Sequence, residues 1–303
     1  MSKNKRASTN SAISRQKRAI KQKRGLGRGR EYQAFIQVRK HDFGSHGRSH
    51  IWRSPLDLYV SHHLLSDLER FTILQAAAAG AECRAQYPLI RDGVEDEFSL
   101  RAFKAGSMSI AKDLGIKHPH LGGDEEKILT TDLLLRFRQN NYIAIYVKNH
   151  DQLPVRGSRG WDLLRIERTY WRRRNVMFLI VTDKTVKINA VIHWLDWASS
   201  FKLTDYWAGV LPDEEKVYGV VNMILATDSR LSMYDRLSEL DLPLEEAVTF
   251  LKFCIWTGEL KVDYLRAPQA DLAWPWVLAP KRSRSVPSLI VLPELRRFMR
   301  TDE

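Results

Sequence analysis

The sequence predicts an α/β domain followed by a mainly helical domain. Short strand-like and helical segments alternate over residues 31–186, which is the pattern of a compact α/β domain. Helical patterns dominate over residues 187–303, where one late strand is expected. Residues 1–30 differ from both, because they are strongly basic and end in a glycine-punctuated run. We therefore predict a flexible basic arm at 1–30, an α/β domain at 31–186 and a helical domain at 187–303.

The net charge of +12 comes almost entirely from the arm. Residues 1–30 contain eleven basic residues and no acidic one, whereas the remainder contains 37 basic and 36 acidic residues. A basic arm binds phosphate backbones through counterion release, and we expect Arg24, Arg28 and Arg30 to contact DNA. A solubilising tail or an organellar transit peptide would have a similar composition, so charge alone leaves these alternatives open.

Several classes of protein are disfavoured by composition. The two cysteines, Cys83 and Cys254, form no CxxC pair, so neither a disulfide framework nor a zinc ribbon is expected. No apolar run suggests a signal peptide or a membrane span, and we expect a protein of the bacterial cytoplasm. Four histidines lack zinc-ligand spacing, which favours structural or DNA-facing roles: His62, His63, His118 and His120.

The periodicity places the main elements. Ser66 to Ala79 is predicted as a helix, because Ser66 and Glu69 have the spacing of a capping box. The other predicted elements are a hairpin of strands at 128–137 and 142–148, an amphipathic helix at 161–174, a strand buried on both faces at 176–182, and a helix at 244–256 that leads into a strand from Leu260.

The hairpin brings an acid and a lysine together. A turn at Gln139 and Asn140 would place Asp132 opposite Val147 or Lys148, at the end of the ladder away from the turn. Hydrolysis of a phosphodiester uses this combination, since carboxylates hold a divalent cation and a lysine stabilises charge on the phosphate. A surface ion pair across two strands has the same spacing. The role of Glu69 is also left open, because its local sequence pattern does not distinguish a helix cap from a metal ligand.

Longer motifs carry a more specific signal. The motifs, in chain order, are RGLGRGREY (24–32), GRSH (47–50), HHLLSDLE (62–69), QYPL (86–89), GIKHP (115–119), Thr131-Asp132, Val147-Lys148, ERTYW (167–171) and TDK (182–184). In these segments, over about residues 24–184, the sequence resembles the TnsA family, the endonuclease subunits of heteromeric bacterial transposons.

The resemblance implies a restriction-endonuclease-like fold, a mixed sheet flanked by helices. It also implies that Glu69 and Asp132 bind Mg²⁺, for which Mn²⁺ could substitute, and that Lys148 is the catalytic lysine. The family has a glutamine where this sequence has Tyr146. We therefore expect the backbone carbonyl of Val147 to replace the missing amide ligand.

Three further expectations concern the helices. Glu167, which matches a family glutamate, is expected to act as an auxiliary acid. Arg165, Arg168 and Arg172 share one helical face and are expected, with Arg48, to contact DNA, although a solvated face has the same pattern. The C-terminal helix and strand suggest a winged-helix unit, as the resemblance also implies, for docking to protein or DNA.

Taken as a whole, the resemblance implies a nuclease that cuts the 5′ ends of a transposon. Its partners would be transposon-end DNA, a TnsB-type transposase that processes the 3′ ends, and a TnsC-type ATP-dependent regulator. An independent restriction or repair nuclease and an inactive DNA-binding adaptor are the alternatives.

Overall fold

The computed structural model describes residues 2–38, 48–55, 57–90, 98, 105–122, 125–137, 140–186, 190–201, 214–226, 231–262 and 277–280. The chain divides into two compact units. The first comprises residues 1–53, 59–70 and 82–184, and the second comprises 54–58, 71–81 and 185–303. No helix among the described residues is long and apolar enough to cross a membrane.

The helices and strands alternate through the first unit, as predicted. In chain order the described elements are α1 (Ser2–Lys21), β1 (His50–Ser54), β2 (Asp57–Leu64), α2 (Asp67–Ala78), β3 (Glu82–Pro88), α3 (Ser107–Asp113), β4 (His120–Gly122), β5 (Glu125–Glu126), β6 (Thr130–Arg136), β7 (Tyr142–Val147), α4 (Arg159–Arg173), β8 (Met177–Val181), α5 (Ala190–Ala198), α6 (Glu214–Ala226), α7 (Met233–Ser238), α8 (Leu244–Thr257), β9 (Leu260–Val262) and β10 (Val277–Pro280).

A four-stranded mixed sheet forms the centre of the first unit. Its strand order is β3-β6-β7-β8. The first two pairings are antiparallel and the pairing of β7 with β8 is parallel. Because α4 follows β7 in the chain and leads into β8, it provides the crossover that a parallel pair requires. The mixed sheet expected from the sequence is therefore present.

Helix α4 is fixed to this sheet by its aromatic face. Its N-terminus is capped by Ser158, whose Oγ accepts from the N–H of Trp161. Tyr170 and Trp171 are fully buried in a core that also contains Leu134 of β6 and Ala144 of β7. Replacing a buried tryptophan by alanine typically costs about 3–5 kcal/mol of stability. The position of every side chain on the inner face of α4 depends on this packing.

Strand β8 is less buried than its apolar sequence predicts. Met177 and Ile180 are each 40% exposed, although the whole segment was expected to be covered on both faces. The reason is its place in the sheet: among the described strands, β8 pairs with β7 alone and forms an edge. The prediction of a strand buried on both faces is wrong.

Most of the basic arm forms α1 and packs against other residues of the first unit, whereas residues 1–30 were predicted to be flexible. The side chain of Gln16 makes two hydrogen bonds to the backbone at and after β5. Its Nε2 donates to the carbonyl of Glu126 (2.6 Å), and its Oε1 accepts from the N–H of Ile128 (2.9 Å). At the end of the arm, Gly25 has a φ of +78°, and a Cβ there would collide with Pro88. The glycine therefore marks a tightly packed turn.

The second unit contains a bundle around α8, which packs against α5, α6 and α7. Gly258 ends α8 with a φ of +81°, the left-handed conformation that glycine favours. Strand β9 follows and pairs with β10 in an antiparallel ladder, so this region contains two described strands where one was expected. The winged-helix assignment stays a prediction.

Candidate functional site

Glu69 lies in the first turn of α2, where it completes the predicted capping arrangement. Its N–H donates to Ser66 Oγ (3.1 Å), and the Ser66 hydroxyl donates to Glu69 Oε1 (3.2 Å). Glu69 Oε2 accepts from the N–H of Leu65 (2.9 Å), one residue before the expected partner Ser66. The residue is 5% exposed. Since a carboxylate offers about four acceptor positions, the cap orients this group and leaves room for a further ligand.

Asp132 lies near the start of β6, in a register that differs from the predicted one. It was expected opposite Val147 or Lys148, but the observed pairing of β6 with β7 extends to Asp132 opposite Tyr146. The Val147 N–H nevertheless donates to Asp132 Oδ2 at 2.7 Å. The hairpin thus brings the acid to the predicted end of β7, one or two residues out of register.

The turn of the hairpin explains this shift. The N–H of Phe137 donates to the carbonyl of Asn141 (2.8 Å), and this bond closes the hairpin around three residues rather than two. Asn140 has a φ of +57° within that turn. Asparagine tolerates the left-handed conformation better than most residues, so the longer turn is accessible to this sequence.

Gln86 of β3 lies beside both acids, a position that its local sequence did not predict. Its Nε2 donates to Glu69 Oε2 (3.2 Å), and its side chain is close enough to Asp132 to help lower the pKa of that group. The residue is 1% exposed. The QYPL segment marked this region as part of the resemblance. However, only the pairing of β3 with β6, which joins distant parts of the chain, shows that the amide faces the acids.

Burial raises the pKa values of the clustered carboxyls. The pKa of Glu69 rises to about 8, mainly because the group is buried and also because Asp132 is near. Burial raises the pKa of Asp132 to about 6, while the Val147 N–H, the Lys148 charge and the Gln86 amide oppose that rise. A bound cation would favour the ionised form of both carboxylates and would therefore lower their pKa values.

Lys148 follows β7 and extends the parallel ladder, since its N–H donates to the carbonyl of Val181 (3.0 Å). The residue is exposed, and its charge is close enough to lower the pKa of Asp132. An acid and a lysine therefore share this end of the sheet, as the spacing predicted. The participation of Lys148 in catalysis stays a prediction.

Tyr146 is half-buried beside the acids. Burial, followed by the charges of Asp132 and Glu167, raises the pKa of its phenol to about 12. The hydroxyl is consequently neutral at physiological pH, which makes it a donor rather than an anionic ligand. Val147 presents its N–H to Asp132, and the role expected for its carbonyl stays a prediction.

Glu167 projects from α4 toward the same cluster. Its Oε1 accepts from the Thr131 hydroxyl (2.8 Å), and Thr131 Oγ1 in turn accepts from the Trp171 indole N–H (2.6 Å). Burial, and secondarily the charge of Asp132, raises the pKa of Glu167 well above its ordinary value. This chain of bonds ties α4 to β6 beside Asp132, and the expected role of Glu167 as an auxiliary acid stays a prediction.

The arginines predicted to contact DNA fall into two groups. Arg165, Arg168 and Arg172 are exposed along α4, on the side opposite its buried residues. The other group comprises three arginines of the arm and Arg48. Arg24 donates to Gln22, Arg28 donates to Tyr142 (3.0 Å), Arg48 pairs with Asp67 (3.3 Å), and the side chain of Arg30 is exposed. Contact with DNA stays a prediction for all seven.

The histidines have structural environments. His62 stacks on Trp52 with ring centroids 5.5 Å apart, and burial lowers its pKa to about 4. His63 Nδ1 accepts from the N–H of Val38 (3.0 Å), and His118 Nε2 lies 3.0 Å from Ser107 Oγ. These contacts agree with the structural roles that their spacing favoured.

Comparisons with known proteins agree with the motif analysis. The family described as TnsA-like endonuclease N terminal matches residues 90–183, which include Asp132, Lys148 and Glu167 but not Glu69. Transposon Tn7 transposition protein TnsA of Escherichia coli is 30% identical over 197 residues. That match covers 64% of this chain and 65% of the relative, so the chain spans just under two-thirds of the length of the protein it matches.

Proposed function

We propose that this chain, which is similar to TnsA-like endonucleases over residues 90–183 and to a transposition protein over 197 residues, is the DNA-cleaving subunit of a heteromeric transposase. In this proposal the protein hydrolyses phosphodiester bonds at the 5′ ends of the transposon. The reaction depends on Mg²⁺ and leaves 3′-hydroxyl and 5′-phosphate groups.

One observation carries the proposal: the buried carboxylate of Glu69, the partly buried carboxylate of Asp132 and the exposed Lys148 lie near one another at one end of β6 and β7. Burial, and secondarily the charge of Asp132, raises the pKa of Glu69, and the charge of Lys148 is close enough to lower the pKa of Asp132. Perturbed acids gathered beside an exposed cation are typical of active sites, whereas a cross-strand ion pair at the surface requires no buried second acid.

The donors suit a hard divalent cation. Among the described residues, no three His, Cys, Asp or Glu side chains form a metal-binding group. A cation here would therefore use the two carboxylates, Glu69 and Asp132, and complete its shell with neutral oxygens and water. Mg²⁺ is commonly bound in this way, through one or two carboxylates and several waters.

Each residue has a distinct task in this mechanism. Glu69 and Asp132 would hold the cation, and a cation bound there would supply a water of lowered pKa and positive charge beside the phosphate. Lys148, exposed beside them, orients the attacking water or stabilises that charge. Tyr146, whose pKa is raised to about 12, is neutral at physiological pH, and it supports the site together with Glu167 as a hydrogen-bonding group.

DNA reaches the site along basic surfaces. The exposed arginines of α4 and the basic residues of α1 supply phosphate contacts, while the rest of the chain is almost neutral. A body with so little net charge holds DNA weakly. We therefore propose that a TnsB-type transposase and a TnsC-type regulator deliver this subunit to the transposon ends, and that its activity depends on them.

The proposal is tested by strand cleavage. Full-length protein would be incubated with the partner transposase and a 5′-labelled DNA that carries the end of the encoding transposon, with Mg²⁺ or with EDTA. Asp132→Ala and Lys148→Ala should each lose about 100-fold or more of the cleavage rate. Asp113→Ala and Lys112→Ala change the same residue types on the surface of α3 and should cleave at the wild-type rate.

The outcomes separate the alternatives. Wild-type cleavage by either site variant, or cleavage in EDTA, would reject the proposed site. Efficient cutting of arbitrary DNA without the transposase would instead favour an independent nuclease. Failure of the wild-type protein to cut at all beside an active transposase would favour a DNA-binding adaptor.

A further inference from the structure

Gln86 occupies an unusual position in the sheet. The ladder of β3 and β6 pairs Ala85 with Leu133 and Tyr87 with Thr131, so Gln86 lies level with Asp132. At this position the backbone of Gln86 has a φ of +53°, in the left-handed region that non-glycine residues rarely adopt inside a strand. The regular pairing is therefore interrupted at the residue that faces the acid.

Other contacts hold the backbone in this conformation. The carbonyl of Gln86 accepts from the N–H of Phe35 (3.3 Å), and the carbonyl of its neighbour Ala85 accepts from the Tyr32 hydroxyl (2.8 Å). The segment that follows the basic arm thus supports β3 where its ladder is broken. Strained backbone that is held by its surroundings often lies at functional sites.

The orientation of the Gln86 amide follows from its hydrogen bonds. Gln86 Oε1 accepts from Thr130 Oγ1 (3.3 Å), although a hydroxyl can serve either end of an amide. The NH₂ group faces the acids, where it donates to Glu69 Oε2 (3.2 Å), and the side chain is close enough to Asp132 to help lower the pKa of that group. With two N–H donors, one amide can serve both carboxylates without adding charge.

We infer that Gln86 is a positioning residue, which holds the carboxylates of Glu69 and Asp132 at the separation that a divalent cation requires. This inference rests on the proposed function. Glu69 is carried by a helix and Asp132 by a strand, and Gln86 donates to the first and lies level with the second across the ladder of β3 and β6. Outer-shell partners of this kind orient metal ligands, and removing one typically costs about 10- to 100-fold in metal affinity.

The test measures Mn²⁺ binding to the full-length protein by calorimetry, together with its melting temperature. Gln86→Asn shortens the amide by one methylene, but asparagine tolerates the left-handed backbone, so the fold is retained. We expect the Kd for Mn²⁺ to rise about 10- to 100-fold while the melting temperature stays at or above the wild-type value. Gln86→Met keeps the length without the amide, and its affinity should fall equally.

Gln16→Met is the matched control, since Gln16 is also a buried glutamine with two hydrogen bonds, but these are to backbone groups of Glu126 and Ile128. It should lower stability without weakening Mn²⁺ binding. Wild-type affinity in both Gln86→Asn and Gln86→Met would overturn the inference. Tighter binding by Gln86→Glu would also overturn it, because position 86 would then be a direct ligand.

Asp132→Ala separates this inference from the proposed function. If Asp132→Ala abolishes Mn²⁺ binding while the Gln86 variants bind normally, the metal site is correct and the positioning role is wrong. If Asp132→Ala binds Mn²⁺ as tightly as the wild-type protein, the proposed site itself is wrong, and the inference fails with it.

Discussion

Binding of a divalent cation to the carboxylate pair should release about one proton at neutral pH. The proton comes from Glu69, whose pKa is raised to about 8, whereas Asp132, with a pKa of about 6, is mostly ionised at that pH. At pH 7 a carboxyl with a pKa near 8 is about nine-tenths protonated. Since carboxylates bind metal in the ionised form, the cation must displace that proton.

The same values fix the direction and size of the pH dependence. Raised pKa values keep both acids protonated at low pH, so affinity must increase as the pH rises through about 6 and then about 8. Between pH 6 and pH 8.5 the fraction of sites with both acids ionised grows by a factor on the order of 100, and the Kd for Mn²⁺ should fall by the same factor.

The assay is calorimetry of Mn²⁺ binding at pH 7 in buffers with different ionisation enthalpies, followed by a pH series. Glu69→Gln serves as the comparison, since it cannot release a proton and should bind weakly with little dependence on pH above 7. A constant Kd from pH 6 to pH 8.5, together with no proton release by the wild-type protein, would refute the reasoning.

Three further predictions follow from the same contacts. Burial favours the protonated form of Asp132 in the folded protein. The resulting stabilisation is fully present below the unfolded pKa near 4 and is lost as the pH rises through about 6. Asp132→Asn should therefore be about 1–3 kcal/mol more stable than the wild-type protein in EDTA at pH 8.5, although inactive; lower stability in urea unfolding would contradict this. Tyr146→Phe and Tyr146→Gln should both keep substantial cleavage activity, and complete loss in a folded Tyr146→Phe would show that the hydroxyl is required. Deleting residues 1–9 removes three basic residues but leaves the contacts of Gln16, so the slope of log K against log salt should become shallower by up to about 3 with unchanged stability; an unchanged slope would exclude this segment from DNA binding.

Local features of the site could be predicted from the sequence. Asp132 and Lys148 lie on adjacent strands joined by a short turn, so their proximity depends on a hairpin that periodicity reveals. The exact pairing of β6 with β7 could not be predicted from the sequence, because Asn140 adopts the left-handed conformation and the turn contains three residues. The spacing identified the correct end of the sheet but the wrong facing residue.

Contacts between distant parts of the chain could not be predicted. Gln86 reaches the acids only because β3 pairs with β6, and nothing in its local sequence specifies that pairing. Similarly, composition suggested a flexible arm, but Gln16 finds its backbone partners more than a hundred residues away. The role of Glu69 could not be predicted for a different reason. The sequence pattern of a capping box is the same whether or not the carboxylate also faces a metal.

The central claim is that Glu69 and Asp132 hold a divalent cation beside Lys148. Its most direct test is anomalous diffraction from crystals of the full-length protein grown with saturating Mn²⁺. The account predicts an anomalous peak about 2.2 Å from a carboxylate oxygen of both Glu69 and Asp132, and no such peak in crystals of Asp132→Ala. A wild-type crystal in which Mn²⁺ binds elsewhere, or in which this position stays empty at saturating Mn²⁺, would contradict it.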